Sequence, residues 1–223
     1  MSTENRMLAV NSGTSGELAK DVFFAYRGYR MNYYAVTAML ARVYCWAGEY
    51  GNAYKEAKEV VDATYSTGST STASCFNFSN SLTTNRKDYN SIIMTFFKST
   101  CYEDYLPYMT KGNDVVLVVN TTNLFGDEAG ADDRNLDLFG DWDGGDIKYS
   151  FKYDIKEGTS GTDMIPAIRL SEMYYIMGEY FAYKDEFSKA GEMLDKVRYA
   201  RGISTTNLAS SIGSLEVFHT HLI

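Results

Sequence analysis

The stretch YYAVTAMLARVYCWAGEYGNAYKEAKEVV, residues 33–61, decides the fold. Within it Tyr44, Gly48, Tyr50, Ala53, Ala57 and Val60 fall at the spacing Y-x3-G-x-Y-x2-A-x3-A-x2-V. More than half the chain later, Tyr180, Lys184, Phe187, Ala190, Leu194 and Val197 repeat that spacing with one residue inserted before Phe187. Small residues stand where two helices would touch, and aromatics stand where they would fill the groove between them. That is the pattern of a repeated helical hairpin, which cannot bury its apolar face alone and needs neighbours.

Working outward, Asn32 reads as the N-cap of the first helix, and Val36, Met39, Leu40, Val43 and Tyr44 form its expected inward stripe. Gly48 ends that helix in a left-handed conformation. The second helix runs over about residues 52–63 with Ala53, Ala57, Val60 and Val61 inward, while Trp46, Tyr50 and Tyr54 fill the groove. Pro166 is expected to open the later hairpin, whose first helix buries Leu170, Met173, Tyr174, Met177, Tyr180 and Phe181. Its partner covers about residues 187–199 and is capped by Gly202. The fold class expected is therefore mostly α, tetratricopeptide-like helical hairpins with an irregular central insertion and a few short strands. The hairpins take residues 30–63 and 166–202, and the insertion takes 64–165. Residues 1–16 read as a Gly/Ser-rich lead-in, with a short helix over 17–29. Residues 206–223 read as a truncated tail peripheral to the core.

An insertion of this length far exceeds an ordinary loop and is the place to look for function. Residues 65–74 are Ser/Thr/Gly throughout, a loop. Residues 89–109 read as helix over their first half, ending near Pro107, with Tyr102, Tyr105 and Tyr108 on one packing ridge. The run 115–119 reads as a strand and 148–153 as a second one. Residues 123–145 are acidic and glycine-rich.

Composition narrows the function. A net charge of -8 argues against a nucleic-acid partner, because phosphate binding needs a basic face. Cys45, Cys75 and Cys101 show no metal-binding spacing. Cys45 reads as a small core residue, and a Cys75–Cys101 disulfide stays open. Residues 1–20 contain no continuous apolar segment of the signal-peptide kind. No phosphate loop, nucleophile elbow or supported histidine pair occurs; His219 and His221 both lie in the last few residues. No enzyme and no cofactor are expected.

Three stretches resemble the SusD/RagB family of outer-membrane nutrient-binding lipoproteins. Arg30-Met31-Asn32-Tyr33-Tyr34-Ala35-Val36 leads into Ala38-Met39-Leu40-Ala41-Arg42-Val43-Tyr44, similar to the family's "R-x-N-x-x-A-V-x-A-L-L-A-R-V-Y". Asp132-Asp133-Arg134, with Leu138-Phe139 and then Lys152-Tyr153, resembles its "D-P-R" segment and lysine-tyrosine strand, with Asp133 in place of proline. Ile168-Arg169-Leu170-Ser171-Glu172-Met173-Tyr174-Tyr175 and Leu194-Asp195-Lys196-Val197-Arg198-Tyr199-Ala200-Arg201-Gly202 resemble its "I-R-L-A-E-M-Y-L" and "L-N-x-V-R-x-R-A-G" helices. The resemblance covers residues 17–205, and family members are about twice this length. It implies a SusD-like α/α superhelix and non-enzymatic capture of glycans, or in some branches peptides, at the surface of the outer membrane. The partner implied is a SusC-type TonB-dependent transporter. The alternative is a tetratricopeptide-type scaffold that binds a protein or peptide.

Within the insertion, Asp141-Trp142-Asp143-Gly144-Gly145-Asp146 stands out. As a calcium loop it has hard oxygen ligands at alternating positions, but Lys152 occupies the twelfth place where a closing carboxylate belongs, so no metal is expected. A tryptophan among acidic residues and glycines has little core to enter. Its ring suits the apolar face of a sugar, and carboxylates suit sugar hydroxyls. Trp142, Asp141, Asp143, Tyr149 and Tyr153 are therefore the candidate ligand-binding residues. The other expectation is that Trp142 anchors its loop on the helices.

Overall fold

A computed structural model of the chain describes residues 27–66, 70–79, 82–83, 85–150, 152–153, 164–204 and 207–222. The expected lead-in and most of the helix expected over 17–29 lie outside them. Helix is the main element, with a few short strands.

Two helical hairpins form the scaffold. The first pairs α1 (Tyr33–Trp46) with α2 (Tyr50–Val61). Asn32 caps α1, its side chain accepting from the Ala35 N–H at 3.0 Å. The central segment follows, with β1 (Thr64–Ser66), β2 (Thr72–Ser74), β3 (Ile92–Phe97), α3 (Cys101–Met109), β4 (Val118–Asn120), α4 (Thr121–Phe125), α5 (Asp133–Leu138), β5 (Phe139–Asp141), β6 (Ile147–Ser150) and β7 (Met164–Arg169). The second hairpin pairs α6 (Leu170–Ala182) with α7 (Phe187–Tyr199), and α8 (Leu215–Thr220) closes the chain.

The two hairpins turn identically. Gly48 has φ +75° and Asp185 has φ +59°. Glu49 (φ -87°, ψ 58°) and Glu186 (φ -88°, ψ 56°) then lead into α2 and α7. The Glu49 N–H donates to Tyr44, and the Glu186 N–H donates to Phe181. Tyr44 thus corresponds to Phe181, not to Tyr180, and no residue is inserted between the units. Ala53, Ala57 and Val60 match Ala190, Leu194 and Val197, and all six are buried.

On α1 the inward face differs from the expected stripe. Ala35, Thr37, Ala38 and Ala41 are buried, whereas Val36, Leu40 and Val43 are exposed and Trp46 is 89% exposed. Helices approach closely only where side chains are small, and α2 answers with Ala53 and Ala57. The larger apolar residues are thereby turned outward. Tyr50 and Tyr54 do fill the groove, stacking on Tyr183 at 3.9 Å and Tyr180 at 4.4 Å. Arg42 joins the hairpins with a fork onto Glu172 (Nε–Oε1 2.5 Å, Nη2–Oε2 2.7 Å) and a bond to the Ala167 carbonyl.

Residues 89–97 are a 3-10 turn (Tyr89–Ser91) and then strand β3, not the expected helix. The β-branched pair Ile92-Ile93 suits a strand, and β3 pairs antiparallel with β7. Helix follows only at α3, with Pro107 inside its last turn. Pro166 lies within β7, opposite Thr95, so α6 begins four residues later than expected. A two-stranded ribbon tolerates it, because the missing N–H can face away from the ladder. The strands expected over 115–119 and 148–153 form as β4 and β6, and β6 lies between β4 and β5. Cys75 and Cys101 are both buried and are not joined in a disulfide. Cys45 is half-buried and donates to Glu179; burial, then that hydrogen bond, pushes its thiol up to about 12.

The last segment is not peripheral. Ile203, Leu208, Ile212 and Phe218 are buried, Phe218 completely. A Cβ on Gly178 would lie 3.1 Å from the Phe218 ring, and one on Gly191 would lie 2.5 Å from the Leu208 backbone. The two glycines on α6 and α7 therefore admit the final turns. Phe218→Ala should cost about 3–5 kcal/mol, as for other buried aromatics. Urea unfolding of wild type and variant measures this; an unchanged midpoint would detach α8 from the core.

Candidate functional site

The sequence-derived candidates fall in two places. Asp141, Trp142 and Asp143 occupy the turn between β5 and β6, and Tyr149 lies on β6 opposite Gly140. A Cβ at Gly140 would come within 2.6 Å of the Tyr149 ring, so the ring lies directly on that backbone. The turn is closed by its own carboxylates. Asp141 Oδ1 accepts from Gly144 N at 2.8 Å, and Asp143 Oδ1 accepts from Gly145 N at 3.0 Å. Gly144, at φ +87°, supplies the left-handed residue that the turn requires. Among the described residues no group of three or more His, Cys, Asp or Glu could hold a metal ion.

Trp142 is half-buried, with Lys111 Nζ 5.9 Å from its ring, and Lys111 also donates to the Asp141 carbonyl at 3.1 Å. Tyr153 has different company. It stacks on Tyr105 at 4.7 Å, beneath Lys87 Nζ at 4.9 Å, and burial raises its hydroxyl pKa.

A second feature was not read as a site from sequence. A cavity of about 560 Å³ opens where the central segment meets α7, walled by Phe125, Phe139, Tyr175 and Leu194. Arg134, Lys152, Arg198 and Arg201 converge on it, together with Asp132 and Glu128, the ion-pair partners of Arg134 and Arg198. All four cations stand in the family-like stretches. The i, i+3 pair on the α7 end was the available signal, but only folding brings it to the other two.

The geometry of that junction is specific. The Asp133 N–H donates to the Arg201 carbonyl at 2.9 Å. A proline, which the family pattern has there, lacks that donor. Gly202 has φ +83°, and a Cβ there would lie 2.7 Å from Asp133 Oδ1. Asp132, almost fully buried, caps α5 and ion-pairs with Arg134 at 2.6 Å. Arg198 bridges Asp195 at 2.6 Å and also holds Glu128. Lys152 is mostly buried, and burial followed by the charges of Arg169, Arg134, Arg201 and Lys87 lowers it to about 8. Burial likewise lowers Arg201.

No protein-family model matches the sequence, and no curated protein does. Solved structures do. A SusD superfamily protein from Bacteroides thetaiotaomicron is 22% identical, with a TM-score of 0.56, over 84% of this chain and 44% of that one. A SusD-like carbohydrate binding protein from Bacteroides vulgatus is 20% identical, with a TM-score of 0.54, over 87% and 42%. Surface glycan-binding protein A from Bacteroides uniformis is 16% identical, with a TM-score of 0.53, over 84% and 44%. The chain spans less than half the length of these proteins. Among the described residues no helix is long and apolar enough to cross a membrane.

The depressed Lys152 makes a pH prediction. The unfolded lysine titrates near 10.4, so between about pH 8 and 10 the unfolded chain holds a proton that the native chain has lost, and native stability should rise with pH. Relative to Lys152→Met, wild type should gain on the order of 1–3 kcal/mol across that window. Denaturant midpoints at pH 7.5, 9 and 10 measure it; parallel curves would remove Lys152 from the buried cluster. With more than four fifths of its length matched by these structures, the chain has the SusD-like fold that its three sequence stretches imply.

Proposed function

We propose that this chain captures glycans at the cell surface, without catalysing a reaction on them. The observation that carries the reading is Trp142, half-buried on a two-strand turn whose backbone is locked by Asp141 and Asp143. A rigid turn holds an aromatic face in place for a sugar ring at little entropic cost. The polar backbone and outer carboxylate oxygens around it suit hydroxyl groups. The matched structures described as carbohydrate binding and glycan-binding support the ligand class. Tyr149 supports the turn from below in this reading, and Tyr153 contributes from its separate packing site.

In the same reading the hairpins belong to a tetratricopeptide-like superhelix. The identical turns support this, as does the exposed apolar stripe Val36, Leu40, Val43 and Trp46 on α1, which a further repeat would cover. The repeat domain then takes in the last segment as well, since Leu208, Ile212 and Phe218 pack into it, with 64–165 as its insertion. The bound glycan would pass to a SusC-type TonB-dependent transporter at the outer membrane, the partner and location implied by the family resemblance.

Trp142→Ala should weaken glycan binding by about 1–3 kcal/mol while leaving the melting temperature nearly unchanged, as for a stacking contact outside the core. A panel of neutral oligosaccharides titrated calorimetrically into wild type and variant, with parallel melts, supplies both quantities. Equal affinity together with a large fall in melting temperature would make Trp142 a packing residue.

A further inference from the structure

We propose that the cavity between the central segment and α7 binds the carboxylate of an acidic saccharide, a uronic acid, with Lys152 and Arg201 as its charge partners. The inference names a ligand class for the saccharide reading and rests on it, but it does not depend on the Trp142 turn.

Four cations surround the cavity, and two are already matched. Arg134 lies 2.6 Å from Asp132, and Arg198 bridges Asp195 and Glu128. Lys152 and Arg201 have no ion pair among the described residues. The Lys152 surroundings supply only further positive charge, from Arg169, Arg134, Arg201 and Lys87. For Arg201 the hydroxyl of Tyr175 and the carboxylate of Asp132, already paired, are the favourable neighbours. Two mostly buried positive charges without a counterion are costly to fold around. They sit in a protein whose net charge is -8, so the surplus is local and does not reflect general basicity.

The shape narrows the anion. At about 560 Å³ the cavity is far larger than a bare ion needs and lies in the range of small-ligand sites, roughly 300–1,000 Å³. Phe125, Phe139 and Tyr175 supply apolar surface on which a sugar ring can lie. A guanidinium offers two parallel donors that match a carboxylate, and the lysine adds a point charge beside it. A ring that carries one carboxylate uses both the apolar walls and the surplus charge. A neutral sugar uses only the walls.

The test is calorimetric titration of trigalacturonate and of galactotriose into the full chain. Wild type should bind trigalacturonate, more weakly as sodium chloride rises from 50 to 300 mM. Lys152→Gln and Arg201→Gln should each weaken that binding at least tenfold, while Lys152→Arg, which keeps the charge, should retain it. Thermal melts establish that each variant is folded; if Lys152→Gln unfolds, Arg201→Gln and Lys152→Arg carry the comparison. Trigalacturonate binding that is equal in wild type and both folded Gln variants would overturn the inference. So would no binding to folded wild type. Galactotriose, or any neutral sugar of the wider panel, binding without trigalacturonate would overturn the acidic-ligand inference and leave saccharide capture standing. Absence of binding across both series would overturn the two together.

Discussion

The Asp133 N–H donating to the Arg201 carbonyl, 2.9 Å away, is the link on which the central segment depends. It joins the start of α5 to the end of α7 across about 70 residues of sequence. The contact is possible because Gly202 has no side chain: a Cβ there would come within 2.9 Å of the Ala131 carbonyl. Around this backbone joint the buried Asp132 holds Arg134, and Arg198 gathers Asp195 and Glu128. Asp195 Oδ2 in turn accepts from Ala209 N at 3.2 Å, so the same network reaches the closing segment. Buried charges are tolerated there because most have a specific partner, and the two without an ion pair among the described residues, Lys152 and Arg201, line the cavity.

The scaffold that carries the joint is organised by absence of bulk. Alanines at the α1–α2 contact and glycines at Gly178 and Gly191 set how closely backbones approach. Once they do, the tyrosine stacks between α2 and α6 and the Arg42–Glu172 fork follow as contacts between pre-positioned hairpins. The fork is partly exposed and adds direction more than energy. The hydrophobic contribution comes from the buried Ile, Met, Val and Phe side chains beneath it.

Two kinds of surface result. The β5–β6 turn presents one aromatic ring on a locked backbone at the outside of the three-stranded sheet. The cavity presents charge and apolar wall together at the base of the central segment. Aromatic residues serve both, which fits a chain with 19 tyrosines. Tyr153 stands apart from the turn, stacked on Tyr105 with Lys87 Nζ over its ring.

The sequence by itself determined what depends on local chemistry. The Asn32 cap, the left-handed Gly48 and Gly202, the first hairpin and the short β6 strand were all legible, since each rests on a few neighbouring residues. The Asp141–Asp146 turn was legible as a loop for the same reason. The tertiary structure alone decided what depends on a partner. Helical period put Val36, Leu40 and Val43 on the inward face of α1, but packing against α2 turned Ala35, Ala38 and Ala41 inward instead. Residues 92–97 have apolar content compatible with helix or strand, and pairing with β7 made them a strand. Phe218 reads as one apolar residue in a short tail until Gly178 gives it a place to enter. The cation-lined cavity was least legible of all. Arg134, Lys152 and Arg201 lie far apart in sequence, and charge carries no directional signal until the fold removes the water between them.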